Sequence, residues 1–136
     1  MEYFLVKTEP QSYSIDDLKS DKTTVWDGIR NPQALRAVRS MKPGDRVFVY
    51  HSGAQAGVTG IAEVVSESRA DPKDPKLSVV DLQYVGHIEP PTSLAEIKQS
   101  KLFGDWALVR QGRLSTMAAP AEFVKWMRKR YPQAKI

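Results

Sequence analysis

Met41-Lys42-Pro43-Gly44-Asp45-Arg46-Val47-Phe48-Val49-Tyr50-His51-Ser52 is the stretch that decides between a helical and a sheet architecture. Lys42 to Asp45 is built around proline and glycine, and the six residues after it are rich in β-branched and aromatic side chains. A turn followed by a strand over 46–51 is therefore expected. Ser52 to Gly57 is short and glycine-rich, which suits a hairpin-like connection whose backbone lies close to a ligand. A second strand should follow over 58–66.

Outward from this pair, Tyr3 to Lys7 alternates aromatic and aliphatic residues and reads as a first strand that breaks at Thr8, Glu9 and Pro10. Ser14 looks like the N-cap of a short helix through Lys19, with Asp16 and Asp17 near its positive end. Asn31 followed by Pro32 starts a second helix, running to Ser40. Downstream, residues 71–75 form a polar loop broken by prolines, residues 77–85 read as a strand, and Pro90 and Pro91 end it. Ser93 caps a helix with Glu96 placed for a capping box. Residues 106–109 form a short buried run, 110–113 a basic turn and 114–117 a last strand. A final helix begins near Pro120, with Phe123 and Met127 on one stripe and Trp126 beside it. This mixture predicts an α+β fold, a small curved sheet or barrel with short helices packed outside.

The 136 residues, 41% hydrophobic, suffice for one core and are too few for two ordinary domains, so a single domain over 1–136 is expected. The apolar runs fall far short of the roughly 20 residues of a membrane-spanning helix. The start lacks the basic residues and cleavage site of an export signal, which predicts a cytoplasmic protein. Cysteine is absent, excluding disulfides, thiolate metal sites and cysteine nucleophiles. His51 and His87 stand apart in sequence, so neither a metal site nor a cofactor is expected.

Charge is unevenly spread. Residues 101–136 carry eight basic and two acidic side chains, and Arg30, Arg36, Arg39, Lys42 and Arg46 are opposed within their own segment only by Asp45. Such clusters attract phosphate backbones, although solvated helix faces have the same composition. Trp26, Asp27, Gly28, Ile29, Arg30 and Asn31 place an indole, a flexible glycine and an amide beside a helix start, which is the inventory of a base pocket. Trp26 is equally a core residue and Asn31 equally a plain N-cap. Lys7, Thr8 and Glu9 are polar groups at the end of the first strand. Tyr50, His51 and Ser52 end another, where His51 also suits a structural hydrogen-bonding role. Arg110, Gln111 and Arg113 offer donors for phosphates or a base edge.

Five strings, YFLVKTEP at 3–10, WDGIRN at 26–31, MKPGDRVFVYHS at 41–52, VTGIAEVV at 58–65 and RQGRLS at 110–115, together resemble the successive signatures of the EVE domain, in family order and over nearly the whole chain. The resemblance implies a PUA-like fold, related to the YTH and SRA-type domains that lodge one modified base in a pocket. It also implies a non-enzymatic reader of DNA or RNA carrying a modified base, methylated or hydroxymethylated. In that reading Trp26 is an aromatic wall, Asn31 a base-edge or orienting amide, and Lys7 and Ser52 polar rim groups. Asp27 and His51 complete the expected base pocket, while Arg30, Arg36, Arg39, Arg110 and Arg113 are the expected phosphate contacts. The chain departs from the family at Pro32-Gln33-Ala34-Leu35-Arg36, where an aromatic residue commonly follows the asparagine, and its middle loop is shorter.

Two further readings compete. PUA-like relatives of the ASCH group include amidohydrolases of modified nucleosides that use lysine, threonine and glutamate, and Lys7, Thr8 and Glu9 supply those types. Strand alternation predicts that Thr8 points away from Lys7 and Glu9, a poor arrangement for nucleophile and base. The other alternative is a protein-interaction adaptor acting through the last helix, which an exposed Trp126 would favour.

Overall fold

The computed structural model describes all residues from Met1 to Ile136. Its strands are β1 Tyr3–Thr8, β2 Thr23–Trp26, β3 Arg46–His51, β4 Gly57–Val64, β5 Arg69–Asp71, β6 Asp74–Ser93 and β7 Thr116–Ala118. The helices are α1 Ile15–Asp21, α2 Pro32–Ser40, α3 Leu94–Gln99, α4 Ala107–Arg110 and α5 Ala121–Arg130. Local chemistry explains most boundaries. Ser14 Oγ accepts the Asp17 N–H at 3.1 Å and the Asp17 carboxylate in turn accepts the Ser14 N–H at 2.9 Å, closing a capping box on α1. Asn31 Oδ1 accepts from the amides of Gln33 and Ala34 at 2.8 and 3.1 Å, with Pro32 in the first turn of α2. Ser93 and Glu96 form a second capping box on α3.

The strands form one sheet in the order β2-β6-β4-β3-β1-β7, with β5 paired to β6. β1 and β3 run parallel, which requires the long crossover through α1, β2 and α2, and the other ladders are antiparallel. The barrel expected from the sequence does not form. β2 pairs only with β6 and β7 only with β1, so the sheet stays open between these two short edge strands. α2 packs against both β6 and β7, covering part of that gap.

A second correction concerns Pro90 and Pro91, which do not end the strand. β6 continues to Ser93, where Ser93 and Thr92 pair with Gly57 and Val58, while Gly60 pairs with His87. Four residues of β6 thus oppose the single Thr59, and prolines are tolerated in such a bulge because no ladder amide is needed there.

The core draws on every part of the chain. Phe48 of β3 meets Phe123 of α5 edge-on at 5.2 Å, and Phe103, Trp106 and Trp126 extend this aromatic cluster. Trp126 is half-buried, its face covered by the Arg130 guanidinium at 4.7 Å, so α5 is a core helix rather than an exposed aromatic surface. On β4, Gly60 leaves the space into which Ile15 of α1 seats, and a Cβ at that position would fall on the Ile15 side chain and crowd the Gly86 carbonyl. No helix is long and apolar enough to cross a membrane.

Candidate functional site

The open side of the sheet carries a recess of about 290 Å³, near the lower end of the roughly 300–1,000 Å³ usual for small-molecule sites. One wall comes from the β2 edge, Thr24, Val25 and Trp26, and continues through Asp27, Gly28 and Ile29; the facing wall is Lys7 and Thr8 of β1 with Ser115 just before β7. Residues from opposite ends of the strand order therefore share one cavity, which exists because the sheet curls without closing. Gly28 has φ +78°, a left-handed conformation that a side chain would strain, and it turns the chain from β2 along the rim.

Trp26 is 9% exposed. Most of the indole belongs to the core, and its remaining surface contributes to the wall of the recess. Tyr13 meets it edge-on at a centroid distance of 6.0 Å and an interplanar angle of 79°, making a second aromatic wall. The Tyr13 hydroxyl donates to Asp21 Oδ2 at 2.8 Å. Burial pushes its phenol above the ordinary value, the Asp21 carboxylate adds to this, and the Thr24 hydroxyl offsets part of it. Lys7 Nζ donates to the Gly112 carbonyl at 3.0 Å and lies 5.5 Å from the Tyr50 ring centroid. Its ammonium takes part in none of the ion pairs of the molecule, and burial lowers its pKa.

Of the residues expected in a base pocket, Lys7, Trp26 and Asp27 come together here. Asn31 lies outside the lining, its side-chain oxygen engaged as the α2 cap. His51 and Ser52 belong to a second, larger recess with Asp16, Thr59, His87 and Glu89. There His51 Nε2 accepts the Ile15 N–H at 3.0 Å, the structural role named as its alternative. Burial pushes its imidazole below the ordinary value, while Asp16 raises it and His87 lowers it. The two histidines, distant in sequence, thus share a recess. His87 joins the Tyr84 hydroxyl at 2.6 Å to Asp16 at 2.7 Å, but no group of three metal-ligating side chains assembles.

Sequence reading did not single out Tyr13, Thr24 or Ser115 as pocket residues. Ser115 closes the quoted string RQGRLS, and Tyr13 stands directly before the α1 cap, so a signal existed for both. Thr8 lines the same recess as Lys7, both within β1. Its hydroxyl donates to the Tyr13 carbonyl at 2.7 Å, while Glu9 is exposed beyond the strand and outside the lining.

The arginines divide into two groups. Arg39 is fastened to Ser78 Oγ at 2.9 Å and the Lys76 carbonyl at 3.0 Å, and Arg110 to the Gly104 carbonyl at 3.0 Å and Asp105 at 2.9 Å. Arg30, Arg36 and Arg113 are exposed and enter no ion pair. Arg30 directly follows the recess residue Ile29, and Arg113 precedes Ser115 by two positions.

Fold and site together define a small α+β module with an aromatic-walled recess at the open side of its sheet. The family model for the EVE domain matches residues 2–130, and the chain belongs to the EVE domain family. It is 35% identical to thymocyte nuclear protein 1 of Homo sapiens in an alignment covering 71% of this chain and 55% of that protein, little more than half the relative's length. A hypothetical protein from Leishmania major superposes with a TM-score of 0.87 at 33% identity, covering 98% of this chain and 96% of the other. The crystal structure of human THYN1 protein in complex with 5-methylcytosine-containing DNA superposes with a TM-score of 0.85 at 29% identity, covering 95% of this chain and 97% of that one.

Proposed function

We propose that this chain is a non-enzymatic nucleic-acid-binding module that takes a methylated or hydroxymethylated base, flipped out of a DNA or RNA strand, into the recess beside Trp26. The 136 residues act as one unit in this reading, with no cofactor or metal. The observation that carries it is the recess itself: an indole wall, a second aromatic ring and polar groups from both walls around a space suited to one planar heterocycle. Stacking on an aromatic face contributes about 1–3 kcal/mol per base and holds for any base. Edge selection then falls to Lys7 as donor and Asp27 as acceptor. The likeness to a protein solved with 5-methylcytosine-containing DNA supports this reading.

Trp26 is too buried for a clean alanine test, since removing a core indole costs about 3–5 kcal/mol. Trp26→Leu removes the indole and retains part of its apolar volume, at a smaller cost than alanine. Binding of matched plain and modified oligonucleotides to this variant, with a thermal melt to establish folding, tests the reading. The expected outcome is a folded protein that has lost its preference for the modified strand. An unchanged preference would place recognition elsewhere.

A further inference from the structure

The amine of Lys7 is the chemically distinctive group of the recess. It sits at the end of β1 on the wall opposite Trp26, and its hydrogen bond goes to a neutral carbonyl, that of Gly112. No carboxylate pairs with it, whereas other cations such as Arg46, Arg69, Arg110 and Arg130 are each matched to an acid. Thr8 and Ser115 line the same wall. An unpaired, half-buried ammonium loses its proton more readily than one on the surface, and a neutral amine is the usual nucleophile toward carbonyl carbon.

We propose that the recess captures nucleic-acid bases bearing an aldehyde, such as 5-formylcytosine, as a reversible imine on Lys7. This rests on the base-binding reading above and names a further substrate class for the same site. After the ammonium releases its proton to solvent, the Lys7 nitrogen adds to the formyl carbon. A carbon–nitrogen double bond forms, and the carbonyl oxygen leaves as water with the two remaining amine protons. No oxidant or reductant is needed. Hydrolysis reverses the step, so the adduct is a holding state rather than a turnover. The aromatic walls select the base: a ring laid against the exposed part of Trp26, with Tyr13 edge-on beside it, presents its aldehyde to the amine, whereas the aldehyde of a ring-opened abasic sugar has no ring to stack.

The test is trapping with cyanoborohydride, which reduces the imine to a stable secondary amine. The full chain is incubated with oligonucleotides carrying 5-formylcytosine, an abasic site or 5-methylcytosine, and adducts are located by peptide mass mapping. The expected result is an adduct at Lys7 with the formylated strand, suppressed by excess 5-methylcytosine strand, lost in Lys7→Arg and diminished in Trp26→Leu. Label spread over surface lysines such as Lys73, Lys98 and Lys125, or abasic and formylated strands reacting alike and unaffected by Trp26→Leu, would overturn the proposal. Noncovalent selectivity of the unaltered protein for 5-methylcytosine is measured alongside. If it holds while no Lys7 adduct forms, only the imine fails; if it is absent too, the base-binding reading fails with it.

Discussion

At the scale of single residues, position in the fold decided between roles that residue type left open. Trp26 is at once a core side chain and a wall of the recess, because it ends an edge strand and lies against an opening. Lys7, Trp26 and Asp27 were legible as neighbours of one recess because two short strings contain them; Tyr13 and Ser115 stood beside legible features without being read, and Thr24 joins only through the pairing of β2 with β6. His51 resolved the other way, as the acceptor for the first amide of α1. Since burial holds its imidazole below the ordinary 6.5, the folded state binds fewer protons than the unfolded chain as pH drops below that value. The contribution of His51 is therefore complete above about pH 6.5 and is lost as pH falls through the lower folded value. Thermal melts at about pH 7.5 and pH 5.5 should show a smaller acid-induced loss in His51→Gln than in the unaltered protein; equal losses would mean that other groups set the acid response.

At the scale of elements, Asp45 shows how a turn residue fixes the relation of two strands. It is 5% exposed, and its carboxylate accepts the Glu2 N–H at 3.0 Å and the Lys42 N–H at 2.9 Å, tying the start of β1 to the turn before β3. Asp45→Ala leaves two amides without their acceptor, at about 1–3 kcal/mol for each group that stays dry. A urea titration should give a lower midpoint with an unchanged slope, and an unchanged midpoint would show that water replaces the carboxylate. Elements with strong local chemistry were legible in the sequence: β1, β3 and β4 from their apolar, β-rich composition, and α1, α2 and α3 from their caps. β2 and β5 were not, being four and three residues long and held by pairing with β6 rather than by their own composition. The extension of β6 through Pro90 and Pro91 was hidden for a related reason, since a bulge suspends the rule that proline ends a strand.

At the scale of the whole molecule, the openness of the sheet is the feature of most consequence, and it is where expectation and structure differ most. A closed barrel would join β2 to β7 and remove the space in which the recess lies. Around that opening the charge also divides, with Arg39 and Arg110 holding internal bonds through Nε and Nη2 and Arg30, Arg36 and Arg113 exposed without an ion pair. Arg30→Gln should weaken plain and modified strands alike and lower the salt slope by about one. Recognition in the recess, with phosphate attraction added to it, is tested by the affinity ratio of the unaltered protein for modified over plain oligonucleotides at low and high salt. Both affinities should fall with salt while their ratio persists. A ratio that collapses to unity at high salt would contradict recognition in the recess.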